Sequence, residues 1–158
     1  MNRIHFFMLM AAFVCTAGCD DSDDTTECVE DCYQGNYNTM DFFNSGSTTG
    51  GPLTAIEKHR CIDGDLSLVD ALDDSTELPC LEDVGGDLTI AHNISLSSLE
   101  ILSGLSSVGG ELVVQENGSL TYCEICDFLQ HLSASPSSAT YEGNLEDSCW
   151  DGTELTCP

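Results

Sequence analysis

The run Gly85-Gly86-Asp87-Leu88-Thr89-Ile90-Ala91-His92-Asn93 returns 24 residues later as Gly109-Gly110-Glu111-Leu112-Val113-Val114-Gln115-Glu116-Asn117. The same shift carries Leu78, Leu81 and Val84 onto Leu102, Leu105 and Val108, and Leu96 onto Leu120. A period in the twenties constrains a chain to stacked coils, because one unit of that length cannot bury its own apolar face. Fainter copies flank the pair. Asp63-Gly64-Asp65-Leu66-Ser67-Leu68 lies 22 residues before the first, and Ala139-Thr140-Tyr141-Glu142-Gly143-Asn144 aligns 27 residues after the second. That makes about four coils, above the usual minimum of about three.

Residue type assigns a role to each part of the coil. Gly-Gly is expected to turn the backbone sharply into a short strand. Leu88 and Ile90, like Leu112 and Val114, then point inward at period two, and Thr89 and Val113 face out. Asn93, Asn117 and Asn144 fall where each strand turns away, placed to bond main-chain groups that the turn leaves unpaired. Leu99, Leu102, Leu105 and Val108 recur at spacing three and suit 3₁₀-like closing arcs. Over Leu120 to Leu132 the spacing of Ile125, Phe128, Leu129 and Leu132 predicts a C-terminal helix. The fold expected is mainly β: a short parallel β-solenoid of about four coils, with a small helix and disulfide-stabilised caps.

Residues 61–149 resemble the receptor L-domain-like, leucine-rich-repeat-like lipoproteins of myxobacteria and related bacteria. The likeness rests on Gly86 to Asn93, Gly110 to Asn117, Cys123 and Cys126 on the helix, Gly143-Asn144 and Cys149. It implies a short parallel β-solenoid at a cell surface, and no catalytic residues. Residues 28–60, rich in Gly, Asn, Ser and Thr around Phe42-Phe43, are expected to form a loosely structured cap pinned by Cys28 and Cys32.

The N-terminus reads as an export signal. Arg3 precedes an apolar stretch from Ile4 to Val14, too short to span a bilayer. Thr16-Ala17-Gly18-Cys19 follows, and then Asp20-Asp21-Ser22-Asp23-Asp24. This resembles the lipobox of bacterial lipoproteins, with Thr16 where Leu is usual, and implies removal of residues 1–18 and lipid on Cys19. Ordinary signal-peptidase cleavage nearby is the alternative. Residues 19–27 then form an acidic flexible tether. Two or three acyl chains would anchor stably, since one chain binds only marginally.

From residue 19 onward Lys58 and Arg60 face all 28 carboxylates, a formal charge of −26. Such a surface repels nucleic acid and anionic headgroups and attracts basic proteins or cation-bridged glycans. The partners expected are the membrane, through lipid, and one of these two classes. Eight cysteines remain beyond the signal and Cys19: Cys28, Cys32, Cys61, Cys80, Cys123, Cys126, Cys149 and Cys157. An even number in an oxidising compartment implies a disulfide framework, with roughly 105 connectivities open. Position favours a Cys61–Cys80 bridge and two bridges within the last four.

Chemistry-bearing motifs are scarce. His59, His92 and His131 sit in no nucleophile or metal motif, and His92 reads as an exposed strand-end residue. Cys123-Glu124-Ile125-Cys126 has redox or zinc spacing but lacks the βαβ context of a redox site, so disulfide bonding is expected. Asp70, Asp73, Asp74 and Glu77 form an acidic arc with weak calcium potential; no cofactor is otherwise implied. Asn93-Ile94-Ser95 and Asn117-Gly118-Ser119 match the glycosylation sequon, but the repeat already gives each Asn a structural task.

The function expected is a lipid-anchored, non-enzymatic binding or adhesion module. Its exposed strand positions would be Asp65, Ser67, Asp87, Thr89, Glu111 and Val113. A passive structural lipoprotein is the alternative, and a hydrolase with an unrecognised carboxylate pair a third. The bacterial envelope is the expected location, at the outer membrane or cell surface. Asp20 directly after the cysteine leaves the periplasmic face of the inner membrane as the other choice. Cys19→Ser should move the protein from the membrane to the soluble fraction on cell fractionation; unchanged membrane association would refute the anchor.

Overall fold

The computed structural model describes residues 27–44 and 53–158. The export segment and Cys19 lie outside the described residues. Short runs that alternate apolar and polar residues become strands here because each repeat supplies an identical neighbour to pair with. One sheet runs, in order, through β1 (Tyr37–Asn38), β3 (Leu66–Val69), β5 (Leu88–Ala91), β7 (Glu111–Gln115) and β8 (Ser138–Glu142). A second runs through β2 (Cys61–Ile62), β4 (Asp83–Val84) and β6 (Ser107–Val108). All of these strand pairings are parallel. The chain is therefore mainly β, as expected.

Registers follow the sequence offsets, with Leu66 opposite Leu88, Leu88 opposite Leu112, and Leu112 opposite Ala139. Between the sheets lie Leu66, Leu68, Leu88, Ile90, Leu112 and Val114 from one and Ile62, Val84 and Val108 from the other, all buried. Each such side chain contributes about 1.5–3 kcal/mol of hydrophobic stabilisation. The closing arcs add Leu78, Leu81, Leu96, Leu102, Leu105 and Leu120, with one 3₁₀ turn at Glu100–Leu102. Two helices complete the described elements, α1 (Thr39–Asn44) and α2 (Tyr122–His131). The Thr121 hydroxyl accepts from the Glu124 N–H and caps α2, which buries Ile125, Cys126 and Phe128 against the core.

Buried asparagines tie the repeats together. The Asn117 amide donates to the Ile90 carbonyl at 3.0 Å and accepts from the Asn93 N–H at 3.0 Å. Asn93 does the same for the Leu68 carbonyl and the Ala71 and Leu72 N–H groups, and Asn144 for the Val114 carbonyl and the Asn117 N–H. Thr39, fully buried, closes the β1 end by bonding both main-chain groups of Val69. The residue before each ladder position is left-handed, with φ of 51° at Asp70, 59° at His92, 56° at Glu116 and 66° at Gly143. Three of these are not glycine, at a cost of about 1–2 kcal/mol each. An unsatisfied buried donor would cost about as much again, 1–3 kcal/mol, so the Asn bonds hold the strained turn in place.

The paired glycines lie at bends that lead into β5 and β7, as expected. Gly85, Gly86, Gly109 and Gly110 are not in the left-handed region. What requires them is close approach between repeats. A Cβ at Gly86 would collide with the Asp65 carboxylate and stand 2.9 Å from the Gly64 carbonyl carbon, and one at Gly109 would strike the Gly85 carbonyl oxygen.

Residues 28–44 contribute β1, with Tyr37 opposite Leu66, and bridges from Val29 to His59 and from Tyr33 to Ile62. The expected Cys61–Cys80 bridge is replaced by Cys28–Cys80 and Cys32–Cys61. The reason is that this N-terminal segment runs alongside β2 as an outer layer and brings its own cysteines against both partners. The last four cysteines pair among themselves, Cys123–Cys149 and Cys126–Cys157. Asn117→Ala should lower stability by about 1–3 kcal/mol, measured as a fall in melting temperature; an unchanged Tm would contradict the ladder's role.

Candidate binding site

The groups singled out in the sequence do not converge. The His59 Nδ1 lies 2.9 Å from the Asp31 carbonyl, the His131 Nε2 lies 2.6 Å from the Ser103 carbonyl, and His92 is exposed at its left-handed turn. Cys123, Cys149 and the Asp147 carboxylate gather within 4.8 Å, but the two sulfurs are bonded to each other and offer no thiolate. Asp147 instead accepts from the Cys123 and Cys149 N–H groups and holds the bridge. The sequon asparagines Asn93 and Asn117 are buried in the ladder, so neither amide presents itself to a glycosylating enzyme.

The acidic arc is a set of ties. Asp74 accepts from the Ser97 N–H at 2.7 Å and from its hydroxyl at 2.6 Å, joining one repeat to the next. Asp73 accepts from the Ser75 N–H and hydroxyl and from the Thr76 hydroxyl. These bonds, led by Ser75 for Asp73 and by Ser97 for Asp74, hold both carboxyls below their ordinary range.

Across the outer face of the larger sheet runs a second column of side chains, which the repeat pattern did not disclose. Asn36 accepts from the Asp65 N–H at 2.9 Å, Asp65 from the Asp87 N–H at 2.9 Å, and Asp87 from the Glu111 N–H at 2.7 Å. Of the acidic positions expected to face a partner, Asp65 therefore spends both oxygens on its neighbours, one on the Asp87 N–H and one on the Asn36 amide, and Asp87 spends one on the Glu111 N–H. Ser67, Thr89 and Val113 remain half-exposed beside them.

A shallow, open cleft of about 690 Å³ lies at the C-terminal end of the stack, between β8 and the turn Gly152–Leu155. It exists because the last repeat is degenerate. Ala139 and Tyr141 occupy the inward positions held by Leu112 and Val114 in β7, and no further repeat covers them. Trp150 stacks on Tyr122 at 4.3 Å between ring centres, nearly parallel, and lines the cleft with Glu142, Glu146 and Glu154. Burial first, and then the charges of Glu146 and Glu142, raise the Tyr122 phenol; burial raises that of Tyr141. Both phenols thus stay protonated at neutral pH. A smaller hollow of about 170 Å³ beside α2 is lined by Leu99 and Phe128, and its His131 is already bonded to Ser103.

Sequence reasoning missed Tyr122, Tyr141, Trp150 and the three glutamates. Their one signal was the loss of the Leu and Val pattern in the fourth copy. No family model matches the chain, and neither a characterised protein nor a solved structure was found to be similar to it.

A carboxyl with a lowered folded pKa stabilises above its unfolded pKa and loses that contribution as pH falls through the folded value. Asp74→Ala should therefore lower the Tm at neutral pH, and the gap from wild type should narrow below about pH 4. A gap independent of pH, followed by thermal melts across that range, would contradict the charged tie.

Proposed function

We propose that the chain is a lipid-anchored, non-enzymatic binding module of the bacterial envelope, a short parallel β-solenoid of the receptor L-domain-like kind. The observation that carries this reading is the asymmetry of the two ends of the strand stack. The N-terminal end is sealed by two disulfides, β1 and the cap segment, whereas the C-terminal end opens in the aromatic, acidic cleft. If Cys19 carries lipid, the tether joins the sealed end next to Cys28, and the cleft faces away from the membrane. Four strand spacings of about 4.8 Å separate β1 from β8, so the cleft stands about 19 Å farther out.

Charge supports the same orientation. Both cations of the mature chain, Lys58 and Arg60, belong to the N-terminal part, where Arg60 pairs with Glu82 at 2.5 Å and approaches Glu30 at 3.4 Å. Residues 61–158 contain 19 carboxylates and no Lys or Arg. Among the described residues no helix is long and apolar enough to cross a membrane.

Antibody against the folded chain is expected to label intact cells, and the purified Cys19→Ser protein to bind isolated envelopes saturably. Absence of saturable binding, with and without calcium, would leave the passive structural role as the better account.

A further inference from the structure

We infer that the C-terminal cleft is a docking groove for an extended basic peptide, which adds to β8 as a further parallel or antiparallel strand. This rests on the reading of the chain as a binding module and names the class of partner.

The open edge is the first ground. The Glu116 N–H donates to the Glu142 carbonyl, and this sets the phase of β8. Main-chain groups of successive strand residues point to opposite edges. Ser138, Thr140 and Glu142 therefore turn theirs to β7, while Ala139 and Tyr141 turn their N–H and C=O groups outward into the cleft. No described residue takes those groups up. An unpaired edge of this kind is a template for an incoming strand, with main-chain bonds giving affinity and flanking pockets giving selectivity.

The second ground is charge. Glu142, Glu146 and Glu154 border the cleft, and with no Lys or Arg anywhere in residues 61–158 nothing within that part of the chain neutralises them. Lysine or arginine side chains on an added strand would lay their aliphatic stems on Tyr141 and Trp150 and place their charges at the glutamates. A second copy of this chain fits poorly, because it would bring its own carboxylates to the same edge. A neutral glycan would leave both the strand edge and the carboxylates unmatched.

Trp150 is the one tryptophan of the chain and lies in the cleft, so its fluorescence reports directly on occupancy. The full chain in detergent is titrated with a six-residue peptide alternating Lys and Thr. A saturable change in Trp150 emission is expected, weakened about tenfold when alternate peptide nitrogens are methylated, which removes two or so main-chain bonds at unchanged charge. The double variant E146Q/E154Q should weaken binding by a similar factor, and an alternating Glu-Thr peptide should give no change. Equal binding of the methylated peptide would overturn strand addition in favour of charge attraction alone. So would a response to a neutral oligosaccharide with none to the Lys-Thr peptide. Saturable envelope binding with a silent cleft would overturn this inference while leaving the binding module standing; failure of both would remove the two together.

Discussion

Every repeat in this protein turns on one buried amide. Where a strand leaves the sheet its main-chain N–H groups point into an apolar interior, and burial without partners would cost about 1–3 kcal/mol per group. Asn93, Asn117 and Asn144 meet that demand with the same geometry, each donating to a carbonyl of the preceding repeat and accepting from an N–H beside it. An amide alone among short side chains both donates and accepts from one planar group, which explains Asn at this position. The left-handed residue before each ladder position is a consequence, tolerated by Asp70, His92 and Glu116 because the turn they make is the one the amide holds.

The same stacking forces the repeats close together at the beginning of each strand. Glycine there makes room for the carboxylate of the preceding repeat, which in turn accepts the N–H of the next acidic residue. Asp65 and Asp87, each just before its strand, are neighbours joined by the Asp87 N–H, a like-charge arrangement that would repel if the carboxylates were free. Each is offset by a main-chain donor. The strongly acidic composition is thus partly internal wiring, and only the remainder of it is surface charge available to a partner.

A stack built from nearest-neighbour contacts must be finished at both ends, and this chain finishes them differently. At one end a strand, a short helix and two long-range disulfides cover the first repeat. At the other, two disulfides fasten the helix and the last turns but leave β8 with an open edge. The degenerate fourth copy, with Ala139 and Tyr141 in place of large aliphatic residues, converts what would be core into a wall of the cleft. The proposed binding role grows from that difference.

Much was legible in the sequence, and for a definite reason. In stacked repeats each unit contacts its neighbours through equivalent positions, so the period, the inward pattern of Leu88, Ile90, Leu112 and Val114, and the ladder asparagines are all written locally. The offsets of 22, 24 and 27 residues reappear as strand registers. The tertiary structure alone decided what has no period. β1 joins at an offset of 29 with only Gly35-Asn36 left of the Gly-Gly-acid pattern, and Cys28 meets Cys80 across 52 residues because the N-terminal segment runs beside β2. Glycine's second task, close packing, was likewise hidden, since the atom it avoids belongs to another repeat. The cleft is the fullest case: Tyr122, Tyr141, Trp150 and three glutamates from separate stretches converge only where the stack stops, and the lost Leu and Val pattern of the fourth copy does not say which of them meet there.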